Sequence, residues 1–296
     1  MTAPTLLIRD LRLSFKGYSG LVEVLHGISL HIDKGERVAL VGESGSGKSV
    51  TARIILGLLQ SMRTARISGA LNFEGRDLEA MGRGERHRLR GTKMSMIFQD
   101  PTSSLNPVYR ISEQFHEVLK RMVPGIGRAE ADRKAAAMLA DVSITEPERV
   151  LASYPFQLSG GMNQRVMIAM ALANEPSLLI ADEPGTALDV TVQAQTLKLM
   201  RDLVTRHNTA VLFISHNLGV VREFADRVYV IYKGRIVEHG KATQLFDNPR
   251  HPYTRALMNA IPRITGEGIP EIQDNSDEYL APLVVHEGCG EPGGVA

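Results

Sequence analysis

Near the start of the chain, Leu11, Leu13 and Phe15 fall on one side of an alternating run and Arg12 and Ser14 on the other. This predicts a strand with one buried face. Ile28, Leu30 and Ile32 repeat the pattern before a turn at Lys34-Gly35. The runs Val38–Val41, Met94–Phe98, Leu178–Ala181 and Val211–Ile214 are apolar on both faces, as the central strands of a parallel sheet are. Helical patterns separate them, for example Val192, Thr196, Leu199, Met200 and Leu203. Buried strands alternating with helices predict an α/β domain.

Residues 100–165 follow a different period. Ile111, Phe115, Val118, Leu119 and Met122 form one helical stripe, and Ala131, Ala135, Met138, Leu139 and Val142 a second, with Pro124-Gly125 between them. No strand pattern interrupts them, so this stretch is expected to be a helical insertion. It divides a sheet-forming core of residues 1–99 and 166–240. After Tyr229–Tyr232 and the Lys233-Gly234 turn, residues 241–296 form a C-terminal extension. Its last thirty residues are rich in Gly, Pro and acids and are expected to be loosely ordered.

Composition narrows the picture only a little. A 296-residue chain with 43% hydrophobic residues can bury a sizeable core, and a net charge of +1 gives no global attraction to nucleic acid. The one basic cluster, Arg83–Arg90, reads as a solvated helix face, because no aromatic residues are interleaved for base stacking. The single cysteine, Cys289, suits a reducing compartment. No secretory leader is evident, and no stretch approaches the roughly 18–20 apolar residues of a membrane-spanning helix. The protein is therefore expected to be cytoplasmic and to reach a membrane only through partners.

The chemistry begins where the Val38–Val41 strand ends. Gly42, Glu43, Ser44, Gly45, Ser46, Gly47, Lys48 and Ser49 fit G-x-x-x-x-G-K-[ST], with a helical pattern from Val50 to Leu59 directly after. Glycines let the backbone turn so that its N–H groups face inward toward phosphate oxygens. Lys48 supplies a positive charge for the β- and γ-phosphates of ATP, and the Ser49 hydroxyl a ligand for Mg²⁺. The strand Leu178–Ala181 runs into Asp182 and Glu183, and strand ends are where open α/β sheets bind ligands. Asp182 suits the Mg²⁺ shell, and Glu183 suits the polarisation of an attacking water.

Leu158-Ser159-Gly160-Gly161-Met162-Asn-Gln-Arg165, a short step before that strand, resembles the signature motif of ABC ATPases. Ser159 is placed to cap a helix that begins at Gly160, leaving free N–H groups toward an anion. Further positions match the family in order. Gln99 looks like the glutamine that senses Mg²⁺ and the γ-phosphate. Ala187-Leu188-Asp189 resembles the loop that crosses to a partner cassette, and His216 the switch histidine. An aromatic is expected to stack on adenine: Phe15 by its place at the end of the first strand, with Tyr18 as the alternative and a core role for Phe15 also open.

Within the family, Gln99–Pro107 and His251–Pro262 are similar to the oligopeptide/dipeptide importer group, as is Met162. Gly185 and Asn217 stand where relatives usually carry Thr and Asp. The cysteine-rich tail that holds an iron–sulfur cluster in some relatives is missing, so no cluster is expected.

The resemblance covers residues 5–263 and implies a P-loop NTPase fold. It also implies ATP hydrolysis with Mg²⁺ and pairing with a second cassette, either identical or a paralogue. The expected surroundings are two transmembrane permeases on the inner face of a plasma membrane, supplied by an external solute-binding protein. Peptides are the preferred solute, although the group also serves nickel, oligosaccharides and other small solutes.

Overall fold

In the computed structural model, residues 3–18, 20–185, 189–260, 277–287 and 289 are described. The chain opens with β1 (Leu6–Gly17), β2 (Gly20–Ile32) and β3 (Arg37–Val41), followed by α1 (Lys48–Ile55), β4 (Ala65–Phe73) and β5 (Arg76–Asp77). Next come α2 (Arg83–Leu89), β6 (Met94–Ile97), α3 (Pro101–Ser104), α4 (Ile111–Lys120), α5 (Arg128–Asp141) and α6 (Pro147–Ala152). Then follow α7 (Gly160–Leu172), β7 (Leu178–Asp182), α8 (Val190–Arg206), β8 (Ala210–Ser215), α9 (Leu218–Phe224), β9 (Arg227–Tyr232) and β10 (Arg235–Lys241). The extension holds α10 (Ala242–Asp247), α11 (Pro252–Asn259) and β11 (Val284–Val285). The chain forms two compact units, residues 1–81 with 212–296, and residues 82–211.

In the first unit, β2-β1-β4-β5 make an antiparallel sheet. Leu11, Leu13, Ile28, Leu30 and Ile32 are buried, so the predicted alternation does mark the core face. In the second sheet, β3 pairs in parallel with β9, β9 pairs antiparallel with β10, and β11 joins β10 in parallel. Val38 to Val41 and Val228 to Ile231 are all fully buried, which accounts for their apolar runs. Arg37 anchors the entry to β3 by donating through its backbone N–H and its guanidinium to the Asp226 carboxylate, at 2.6–3.1 Å.

In the second unit, β6 and β7 run parallel, and α2 to α8 account for most of the other described residues. Ile111, Phe115 and Leu119 of α4 are buried, as are Ala131, Ala135 and Leu139 of α5. Met122, expected in the first stripe, is exposed, because α4 stops at Lys120. In the basic cluster Arg83, His87 and Arg88 are exposed, as a solvated helix face requires, but the opposite face is not. Arg86 and Leu89 of α2 are buried, and the Arg121 guanidinium donates to the carbonyls of Arg90 and His87. A long arginine stem can pack like an apolar chain while its head finds polar partners.

The tail departs from expectation over residues 277–287. Val284 and Val285 pair with Glu238 and His239 of β10, and His286 contacts the buried Glu238 carboxylate at 2.8 Å. One buried hydrogen bond and a short strand hold this segment despite a composition typical of loose chain.

Candidate functional site

In the first unit, the loop between β3 and α1 forms a cradle. Gly42 has φ 159°, and a Cβ there would meet the Ile231 carbonyl oxygen at 2.1 Å, so only glycine fits this approach to β9. Gly47 has φ 109°, a left-handed backbone that favours glycine, and stands at the N-cap of α1. No side chain caps α1, and the start of a helix, with its positive dipole end, is suited to an anion. The Lys48 ammonium folds back and donates to the carbonyls of Gly42 at 2.7 Å and Glu43 at 2.6 Å. The hairpin between β9 and β10 braces the loop as Gly234 N–H donates to the Ser46 carbonyl at 3.0 Å. Ser46 Oγ is buried without a hydrogen-bond partner. A buried, orphaned hydroxyl beside a held ammonium and an uncapped helix start is the donor set a phosphate satisfies.

Also in this unit, Asn217 caps α9, its side-chain oxygen accepting from the N–H groups of Gly219 and Val220 at 3.1 and 3.3 Å. His216 precedes it, exposed at the end of β8. Phe15 lies in β1 opposite Val22 and Ala65 and is half-buried, while Tyr18 is fully exposed at the hairpin tip.

In the second unit, β7 carries Asp182, buried, and the chain then turns at Glu183. Glu183 has φ 50°, a left-handed conformation that costs a non-glycine residue on the order of 1 kcal/mol. The Gln99 amide nitrogen donates to its carboxylate at 3.0 Å, which joins the glutamine after β6 to the acid after β7. With its nitrogen engaged, Gln99 keeps a carbonyl oxygen to offer. Amide, carboxylate and hydroxyl oxygens are the hard donors that Mg²⁺ prefers, so Gln99 and Asp182 here, and Ser49 in the first unit, suit that ion chemically.

Ser159 caps α7 as expected, its hydroxyl accepting from the Met162 N–H at 3.3 Å. Ser159 and Gly160 are exposed, and a Cβ on Gly161 would come within 3.1 Å of Val192. Asp189 caps α8, accepting from the Val192 N–H at 2.9 Å, so its carboxylate has a structural task the sequence had not suggested. Ala187 and Leu188 of the same loop lie outside the described residues.

One functional candidate escaped the sequence. Tyr253, in α11 of the extension, takes a hydrogen bond on its hydroxyl oxygen from the Glu43 N–H at 3.0 Å. Position 253 belongs to the importer-like His251–Pro262 stretch, but nothing in a linear sequence connects it to a loop some two hundred residues earlier.

The ABC transporter family model covers residues 25–186, and that of the oligopeptide/dipeptide transporter C-terminal region covers residues 237–290. The probable peptide ABC transporter ATP-binding protein y4tR of Sinorhizobium fredii is 49% identical over 286 residues, 95% of this chain and 84% of the relative. The oligopeptide transport ATP-binding protein OppD of Bacillus subtilis is 47% identical over 265 residues, 90% of this chain and 74% of the relative. Among solved structures, a dimeric ATP-binding cassette in a post-hydrolysis state with ADP and Pi superposes with a TM-score of 0.71. It has 27% sequence identity and spans 80% of this chain and 98% of that one. This chain belongs to the ABC transporter family, as an ATP-hydrolysing cassette that carries the C-terminal region of the oligopeptide/dipeptide transporters.

Proposed function

We propose that this chain is one of two cassettes that energise a peptide importer, trapping ATP between the phosphate loop of one and the exposed α7 start of the other. The observation that carries the reading is the pair of unlike anion sites. Gly42–Ser49 is a cradle around the buried Lys48, whereas Ser159 and Gly160 sit on the surface at the start of a helix. A surface helix end with no lysine of its own is suited to complete a site on another molecule. The dimeric, ADP- and phosphate-bound state of the similar cassette supports the same pairing, as the names of the relatives support peptides as cargo.

In this mechanism Lys48 and the loop amides neutralise and orient the β- and γ-phosphates, and Ser159 with Gly161 of the opposite cassette closes over them. Ser49, Gln99 and Asp182 would be the residues to hold Mg²⁺, which would supply charge neutralisation on the phosphate oxygens. Glu183 polarises the attacking water and receives its proton, while His216 steadies the γ-phosphate. Cleavage to ADP and phosphate removes the bridge, and the cassettes separate.

Residues 100–165 and Gln99 are suited to pass this motion to the permeases at the inner face of the membrane. Phe98, Val108 and Tyr109 are exposed, and Phe98 and Tyr109 line a groove of about 690 Å³ within the second unit. No helix among the described residues is long and apolar enough to cross a membrane, so attachment is assigned to the permeases.

The test uses the transporter assembled in vesicles with its binding protein. Glu183→Gln is expected to lower ATP turnover by about 100-fold or more, the range of general-base catalysis. Lys48→Ala should weaken ATP binding itself. Peptide uptake should stop in both. Turnover near the unmutated rate in Glu183→Gln would remove Glu183 from this role, and ATP-driven uptake of a metal ion or sugar in place of peptide would overturn the cargo assignment.

A further inference from the structure

We propose that the C-terminal extension braces the phosphate loop through Tyr253, which acts as a positioning residue for nucleotide binding; the inference rests on the nucleotide-binding reading of Gly42–Ser49. Lys48 and Tyr253 act on one peptide unit, that between Gly42 and Glu43. Its carbonyl oxygen accepts from the Lys48 ammonium at 2.7 Å, and its N–H donates to the Tyr253 hydroxyl oxygen at 3.0 Å. The carbonyl and N–H of a trans peptide point in opposite directions. Lysine and tyrosine therefore grip the same plane from opposite sides and fix its rotation. Hydrogen bonds at the two ends of one amide also polarise each other.

Tyr253 is itself held in place. It is fully buried, with its ring centroid 4.4 Å from that of Tyr232 and 5.5 Å from that of Tyr279. Burial pushes the phenol pKa up, so it stays neutral and keeps an oxygen lone pair for the amide. Pro252 opens its helix, and His251 caps it by accepting from the Tyr253 N–H at 3.2 Å. The Glu238 carboxylate then accepts from the N–H groups of Arg250 and His251 at 2.9 and 3.0 Å, and from His286 at 2.8 Å. A bonded path thus runs from the tail segment at His286, through Glu238 and the start of α11, to the loop that receives phosphate. Every link lies within the first unit.

Without the hydroxyl, the Gly42–Glu43 plane loses one of these two anchors, and nucleotide binding has to restore its orientation. Tyr253→Phe in the full chain should therefore weaken MgATP binding about five-fold, the equivalent of one ordinary hydrogen bond. The maximal hydrolysis rate of the assembled transporter should stay within about two-fold, because Glu183 and His216 are untouched. A merely structural role predicts the reverse: a lower melting temperature and less active protein at unchanged KM. Tyr279→Phe, in the same ring cluster, serves as the control and should leave KM unchanged.

Unchanged ATP affinity in Tyr253→Phe, with binding abolished in Lys48→Ala, would overturn the brace and leave the nucleotide reading standing. Absence of ATP binding in the unmutated chain would overturn both. Should Tyr253→Phe fail to fold, hydrogen exchange at the Glu43 amide of the unmutated, nucleotide-free chain decides. Slow exchange is expected, and exchange at the rate of an open loop contradicts the proposal.

Discussion

At the scale of single residues, the least conspicuous histidine makes the sharpest physical prediction. His239 lies in β10, is fully buried, stacks on Tyr229 at 5.0 Å between ring centroids, and has neither ring nitrogen hydrogen-bonded. Burial, then the charges of Arg227, His31 and His286, lower its pKa from the ordinary 6.5 to about 4. The folded state therefore favours neutral His239, and between pH 6.5 and about 4 the unfolded chain binds the proton more readily. Its contribution is complete above pH 6.5 and falls away toward about pH 4, with an upper limit on the order of 3 kcal/mol. His239→Phe should retain the stacking and make the urea midpoint fall less between pH 7 and pH 5 than in the unmutated protein. An equal fall in both would exclude His239 as a source of acid sensitivity. Neighbouring residues show why this was not legible beforehand. Lys48 and Glu183 stand in motifs with a local signature, whereas His239 is buried by β11, a partner that sequence periodicity could not supply.

At the scale of elements, helix starts differ in how their first turns are satisfied. Ser159, Asp189 and Asn217 cap α7, α8 and α9 with their side chains, whereas α1 begins at a glycine with no side-chain cap. Ser, Asp and Asn are the usual N-cap residues, yet the sequence marks only Ser159 as a cap, because Asp189 and Asn217 stand in motifs that draw a different reading. Asn217 makes two hydrogen bonds to the start of α9 without carrying a charge. Asn217→Asp should raise stability by about 0.3–1 kcal/mol through the helix dipole and leave ATP turnover within two-fold. Asn217→Ala should lower stability by about 1 kcal/mol. A thermal melt in which the aspartate variant is the less stable of the pair would contradict the cap assignment. The strands were legible, since a run apolar on both faces has few alternatives to a central strand. The end of α4 and the seat of residues 277–287 depend on tertiary partners and were not.

At the scale of the whole molecule, the α/β core, the order of the motifs and the importer-type extension could all be read from the sequence, because each depends on short spacings. The link between Tyr253 and Glu43 joins distant parts of the chain and needed coordinates. The central claim is that ATP pairs two cassettes and that hydrolysis releases them. Light scattering on the full-length Glu183→Gln chain, alone and mixed with a sibling cassette, tests this most directly. The account predicts that the mass doubles with MgATP and returns to that of single cassettes with MgADP. A mass that stays at one cassette in ATP, in both samples, would contradict it.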